Sequence, residues 1–519
     1  MKNKKAGNEK PAANKLIELV TDEFELIRSQ QSEAYAVTRT GSIRQVFNLG
    51  SKSFADYIAS RYYQLHKSAP PEAAFKSSLS ALVGRAMFEG KQHEIFKRVA
   101  MVDGSYWLDL CNSKWEAVQI NGNEWTVRSG SDIPLFERSS SFKEIPIPVS
   151  GGTLDPLWEL LNVEPEDRLL VLAWLLECLR SDTPNVVLEL VGEQGSAKST
   201  TQRLLKMLID PSAANLRTAP KQIDDVWVAA NNSYVLSFEN ISYLPQAFQD
   251  ALCVLATGGA FASRTLYTNK EEAIIQLCRP IILNGITVNV TAQDLQDRCL
   301  HIELPRVERR LQLKDVDATF ERLHSELLGA LLDLFVKVLR VISDVTIPDE
   351  DKPRMLDFAY LGEAVFISHG LAPGEFLSRY KAMRKQGVHR TIESSDVGQA
   401  LLAFLELGPG YWEGQLGELL PRLERHKPNG GRNWPRKPKA LGDALRRIIP
   451  ALRVLGFDCR SNNKVGGSIT WRIERIAYKL VNSCPGSPGP ALENLGHTGH
   501  AGHGLSDSAD EPPDDEYPF

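Results

Sequence analysis

The stretch Leu188–Leu208, LELVGEQGSAKSTTQRLLKML, runs from an apolar strand through a glycine-containing turn into a helix that opens on Lys198-Ser199. That order suits a polyphosphate. Backbone N–H groups of such a loop converge on phosphate oxygens, a helix dipole stands behind them, and a Lys reaches the β- and γ-phosphates. Gly192 and Gly195 hold the loop open, Lys198 is placed for phosphate and Ser199 for Mg2+. The expected cradle for ATP is therefore Gly192, Glu193, Gln194, Gly195, Ser196, Ala197, Lys198, Ser199 and Thr200. One letter departs from G-x-x-x-x-G-K-[ST]: Ala197 stands where the second Gly is expected. Its methyl is tolerated if the backbone there keeps an ordinary φ. The plain alternative is a Gly-rich turn with a chance Lys-Ser.

The loop GEQGSAKST is similar to those of minichromosome-maintenance helicases, which also carry Ala before the Lys. More broadly, the chain from about Ala34 to Ile476 resembles the AAA+ ATPases of bacteriophages and integrated mobile elements, relatives of superfamily 3 and poxvirus-type primase-helicases. The resemblance rests on GEQGSAKST, AANNSYVLSFENIS, LATGGAFASRTLYTN, RPIILNGI and DLQDRCLHIELP. Within YVLSFENIS an apolar strand ends in Glu239, the Walker B arrangement that holds Mg2+. Asn240 follows where many AAA+ proteins place a second, water-activating carboxylate, so one carboxylate must serve metal, water or both. The resemblance makes Asn284, at the end of RPIILNGI, a polar sensor of the γ-phosphate; otherwise it is a loop Asn. It makes Arg298 an arginine finger for a neighbouring subunit's nucleotide; otherwise Arg298 is a surface side chain paired with Asp294 or Asp297. A finger given in trans implies a homo-oligomeric ring, expected to be a hexamer. In the resembling helicases a hairpin before the sensor strand lines the pore. Here that is AFASRTLYTNKEEAIIQL, with Arg264 and Lys270 as its DNA contacts, or else a solvated hairpin.

The elements that position these residues follow from periodicity. SFADYIASRYYQLHK and AAFKSSLSALVGRAMFE repeat as helices; SYWLDL, WEAVQI and WTVRSG read as short strands carrying the core residues Trp107, Trp115 and Trp125. From about Leu154 to Val345 strands alternate with helices, the pattern of a mainly parallel sheet. The expected fold class is α/β, an AAA+ P-loop ATPase core (151–345) behind an N-terminal α+β domain (16–150). A helical lid or linker (346–390) and a winged-helix DNA-binding domain (391–480) follow. A Lys-rich leader (1–15) and an acidic tail (481–519) are expected to be disordered. No paired-acid pattern supports a primase site.

The net charge of −5 hides an uneven spread. From Pro421 to Leu480 fifteen Lys/Arg stand against four Asp/Glu. RTIESSDVGQALLAFLEL, YWEGQLGELLPRLERH and WPRKPKALGDALRRIIPALRVLG read as three helices, and FDCRSNNKVGGSITWRIER as two strands, together a winged helix. Arg436, Lys437, Lys439, Arg446 and Arg447 lie on its third helix, Arg460 and Lys464 on the wing, all candidates for DNA phosphates. The seven cysteines form no C-x-x-C pair, which points to a reducing, cytoplasmic setting. The N-terminus has no apolar core of a signal peptide, and LLVLAWLLECL is too short to span a bilayer, so no membrane role is expected. His497, His500 and His503 sit in a Gly-rich stretch without fixed geometry. The last residues, DDEYPF, are similar to the acidic tips of bacterial single-stranded DNA-binding proteins. That implies docking to a host replication protein; a tail folded onto the basic helix, or a solubilising end, are the alternatives.

Overall fold

The apolar runs of the middle third build a five-stranded sheet in the computed structural model. It describes residues 10–476 apart from 40, 42, 265–271, 287–289, 291, 309, 394, 409, 429–433 and 462–468. Across the sheet the strands are Arg217–Thr218, Leu236–Ile241, Ile281–Gly285, Val187–Val191 and Cys299–Glu303. Every neighbouring pair is parallel. Numbered along the chain, the order is 2-3-4-1-5, so the strand entering the glycine loop is flanked by those carrying Asn284 and His301. Because both faces are covered, these strands read as continuous apolar runs rather than alternating ones. Leu188, Leu190, Ile282, Leu300 and Ile302 face one core, with the helices Arg168–Glu177, Leu313–Val341 and Leu356–Ser368. Val187, Leu236, Phe238, Ile281 and Leu283 face the other, with Ile223–Asn232 and Gln246–Thr257. That is the period-2 alternation of a pleated strand. Among the described residues no helix is long and apolar enough to cross a membrane.

Two small sheets precede this core. In the first, Val46–Asn48, Ala34–Thr38, Phe24–Ser29 and Lys91–His93 lie side by side. The helices Ala12–Glu23, Lys52–His66 and Glu72–Glu89 cover it through Leu16, Val20, Phe54, Ile58, Leu82 and Ala86. The first helix begins at Ala12, inside the stretch expected as leader, because Leu16, Leu19 and Val20 have a core to enter. Ser51 caps the second by accepting from the Phe54 amide at 3.2 Å. The second sheet is an antiparallel meander of Val99–Val102, Ser105–Asp109, Ala117–Ile120 and Trp125–Arg128. Trp107 is core, and Trp125 donates its indole N–H to Asp333 at 2.7 Å. Trp115, expected on a strand, instead occupies a turn at φ 56° with the Arg138 guanidinium 3.8 Å from its ring. Fully buried Arg98 pins this sheet to the end of the glycine-loop helix. It donates to Asp210 at 2.9 Å and to the Asp109, Lys143 and Pro211 carbonyls, which satisfies the charge.

After the sheet domain come three helices, Asp396–Leu407, Leu416–Glu424 and Pro438–Val454, and three strands. Tyr411–Gln415, Thr470–Arg475 and Phe457–Ser461 form an antiparallel sheet in that spatial order. The first strand corrects the sequence reading, which began the second helix at Tyr411. The alternation decides it: Tyr411 and Glu413 are exposed while Trp412 between them is buried beside Leu441, Leu445 and Ile473. The helix Glu375–Glu393 packs against both the edge strand Cys299–Glu303 and the helix Pro438–Val454.

Candidate functional site

The strand Val187–Val191 delivers its carboxyl end to the loop, and the helix Lys198–Ile209 leaves it. A Cβ at Gly192 would come within 2.6 Å of the Leu304 carbonyl oxygen and 2.7 Å of Ser196 Oγ, so no side chain fits. Gly195 has φ 90°, a left-handed value that favours Gly. Ala197 does too: its φ is 59° and ψ 24°, not the ordinary backbone expected for it. Gly at this position is therefore a conformational demand, and Ala meets it only with strain. Lys198 Nζ donates to the Gly192 carbonyl (2.8 Å), the Glu193 carbonyl (2.7 Å) and Ser196 Oγ (3.3 Å). Its ammonium thus closes the loop on itself, and burial pulls its pKa below the ordinary lysine value.

Beside the loop lies a buried polar network that the sequence reading met only in part. The Asn284 carboxamide accepts from the Asn240 amide at 2.8 Å and donates to Gln202 Oε1 and, at 3.5 Å, to Ser199 Oγ. Gln202 Nε2 in turn donates to Ser237 Oγ (2.8 Å) and to the Phe238 (3.1 Å) and Ile282 (3.2 Å) carbonyls. Ser199 and Asn284 are therefore joined directly, and Asn284 in turn reaches the end of the strand carrying Glu239. Glu239 is half-buried at that strand's bulge, where Asn240 takes φ 53°. Gln202 went unnoticed although its spacing with Leu205 and Ile209 (i, i+3, i+7) puts it on the helix face turned to the sheet. Its amide bridges two neighbouring strands, Leu236–Ile241 and Ile281–Gly285, and satisfies buried polar groups on both.

Arg298 stands apart from that cluster. It is only 12 % exposed, and its guanidinium holds Asp294 Oδ2 at 2.6 Å and the Asp294 carbonyl at 2.5 Å. Asp294 also binds Arg354 at 2.6 Å, while Asp297 pairs with Arg384 on the helix Glu375–Glu393. Within one chain, then, Arg298 has the aspartate pairing that the sequence offered as the alternative to a finger. A second polar pair, His301 Nδ1 and Glu189 Oε2 at 2.7 Å, is buried where the strand before the loop meets its neighbour. Met383 of the same helix receives the His301 amide at 3.2 Å, so that helix sits over the sheet edge next to the loop. A cleft there is lined by Asp167, Glu193, Pro305, Arg306 and Met383. Burial, with Glu166 nearby, pushes the Asp167 carboxyl up to about 6.

Of the candidate DNA contacts, Arg436, Lys437, Lys439 and Arg446 are exposed at and after the start of the helix Pro438–Val454. Leu441, Leu445, Ile448 and Leu452 bury its other face. Arg446 pairs with Asp443 at 2.8 Å, and Arg460 is paired with Asp458, so both carry a carboxylate already. Arg447 falls within the same helix, and Arg264 ends the strand Ala260–Arg264, in register with Glu272 of Glu272–Gln276. Lys270, Lys464, the His-Gly stretch and the acidic tail lie outside the described residues.

A parallel α/β domain with a lysine-bearing loop at the end of its inner strand, followed by a basic helical unit, is thus the class that the fold and site define. Residues 154–385 match the family model described as Actinomycete integrative conjugative element replication protein. Residues 397–485 match the model of the AICE RepA C-terminal domain, so both matches are to one kind of replication protein. No curated protein matches the chain. Among solved structures, "SCCmec type IV Cch - active helicase" is similar at 12% identity and TM-score 0.44, covering 87% of this chain and 93% of that one. The apo NrS-1 C-terminal region is similar at 14% identity and TM-score 0.40, covering 90% and 100%.

Proposed function

We propose that the chain is an AAA+ ATPase that acts on DNA in replication of a mobile element, as a helicase or helicase-like initiator working as a ring. The observation that carries the reading is the meeting of Lys198, Ser199, Asn284 and the Glu239 strand end at the carboxyl edge of one parallel sheet. The crowded Gly192 and the three carbonyl and hydroxyl acceptors now on Lys198 fit a cradle that exchanges those contacts for phosphate oxygens. Lys198 and the loop amides would hold the phosphates, and Ser199 and Glu239 would hold Mg2+, which when bound supplies positive charge against the phosphates. Asn284, fixed from both sides by Asn240 and Gln202, orients Ser199 and the attacking water. To serve a neighbour's nucleotide, Arg298 exchanges Asp294 for phosphate when a second subunit docks. The family match supports replication, and the three helices with a three-stranded sheet have the order of a winged helix whose third helix meets DNA.

A second reading is an ATP-switched DNA-binding protein that loads another factor without unwinding. Asn240 favours it, since no second carboxylate stands beside Glu239 to activate water. ATP turnover measured with and without single-stranded DNA separates the two. Strong stimulation, together with strand displacement on a fork, is expected of the motor. Binding without stimulation would leave the switch, and absence of any nucleotide binding would remove both.

A further inference from the structure

The segment that follows the last strand of the sheet is fastened to the phosphate loop. The Val307 amide donates to the Gly195 carbonyl at 3.3 Å. The Asn162 carboxamide donates to the Ser196 carbonyl at 3.0 Å and the Pro305 carbonyl at 2.5 Å, clamping loop and segment together. Three residues past Val307, Arg310 lies over the loop: a methyl on Gly195 would sit 3.4 Å from a terminal guanidinium nitrogen. Arg310 is exposed, and among the described residues no carboxylate or carbonyl pairs with it. Other cations of the domain differ in this. Arg298, Arg203 and Arg384 each hold an aspartate, and Lys198 engages the loop's own acceptors.

We propose that Arg310 is a second phosphate-binding cation of this chain's own nucleotide site, taking the phosphate oxygens of a nucleoside di- or triphosphate seated in the loop. The inference rests on reading that loop as a nucleotide site. Guanidinium is charged at every working pH and offers paired N–H donors that match two oxygens of one phosphate. The anchoring of Val307 places it within reach at small entropic cost. A charge-assisted hydrogen bond of this kind changes affinity by roughly tenfold to a hundredfold.

The test titrates fluorescent MgATP and MgADP into the full chain and into Arg310→Ala, Arg310→Lys and Lys198→Ala. Arg310→Ala is expected to weaken both nucleotides by about tenfold or more, with an unchanged melting curve in their absence, and Arg310→Lys to recover part of the loss. Wild-type affinity in Arg310→Ala, while Lys198→Ala fails to bind, would overturn the role of Arg310 and leave the nucleotide site standing. A lowered melting point in nucleotide-free Arg310→Ala would make it a structural residue instead, and a parent chain that binds neither nucleotide would overturn both readings.

Discussion

Ala197 gives the most direct test of how the loop from Gly192 to Ser199 is built. Its φ of 59° lies in the left-handed region, where the methyl group crowds the following carbonyl and costs about 1–2 kcal/mol. Replacing it with Gly removes that cost. Against this stands the greater freedom of Gly in the unfolded chain, about 0.4–1 kcal/mol. The balance is a gain of about 0.5–1 kcal/mol for Ala197→Gly. For a unit of 150–250 residues that raises the melting temperature by roughly 1–4 °C. The measurement belongs in nucleotide-free protein, because bound nucleotide adds its own stabilisation to the native state. Ala197→Val makes the opposite arm: a β-branched residue is a steric outlier at this φ, so it should melt below the parent. If Ala197→Gly melts lower than the parent, or Ala197→Val matches it, the loop does not hold residue 197 in a left-handed conformation.

Lys198→Ala should abolish ATP turnover with little change in stability, since the ammonium contacts only loop acceptors; an unchanged rate would end the enzymatic reading. Arg298→Ala should keep nucleotide binding but slow hydrolysis by about 10³-fold if it reaches a neighbour's site. Mixed with Lys198→Ala it should regain some activity, and confirmed rings without recovery would count against action in trans. Reversing charge at Arg436, Lys437 and Lys439 should weaken DNA binding and lower the log–log salt slope by up to one unit per lost phosphate contact; wild-type binding at several salt concentrations would move the DNA face elsewhere. Burial lowers the His324 pKa to about 4, and the ring stays neutral against the Leu208 carbonyl at 3.1 Å. Its folded pKa lies below the unfolded value of about 6.5, so the unfolded chain takes up the proton first. Stability should fall from about pH 6.5 toward pH 4, and His324→Gln should flatten that part of the profile.

Local signals made much of this site legible. The apolar strand, the glycines and Lys198-Ser199 are neighbours in sequence, and their geometry follows from strand, turn and helix in succession. Glu239 and Asn284 could be singled out because each stands where an apolar run meets polar residues, which in a parallel sheet is the carboxyl edge. What the sequence could not show is how such edges are wired together. Gln202 belongs to the network only because its amide crosses to strands 35 and 80 residues away. Asn162 matters because the chain returns 143 residues later to bring Pro305 beside Ser196.

The misreadings have the same origin in competing physical demands. Ala197 looked harmless because a methyl is small; the φ that the loop imposes, and not volume, is the constraint. YWEGQLGELL carries leucines at helical spacing, which pulled the helix forward over Tyr411–Gln415. Trp412 nevertheless gains more by entering the core between the flanking strand and the third helix, with its neighbours turned outward. Arg298 illustrates the limit most clearly. Its place before the last strand can be read from the letters, but Asp294 and Asp297 were equally visible beside it. Only their further bonds, to Arg354 and to Arg384 on the helix over the sheet edge, reveal that Arg298 belongs to a chain of alternating charges. In such a chain each aspartate already has a second cation, so withdrawing Arg298 leaves neither Asp294 nor Asp297 unpaired. That lowers the cost of moving Arg298 toward an anion outside its own subunit, because the penalty of breaking a partly buried ion pair lies mostly in the charge left behind.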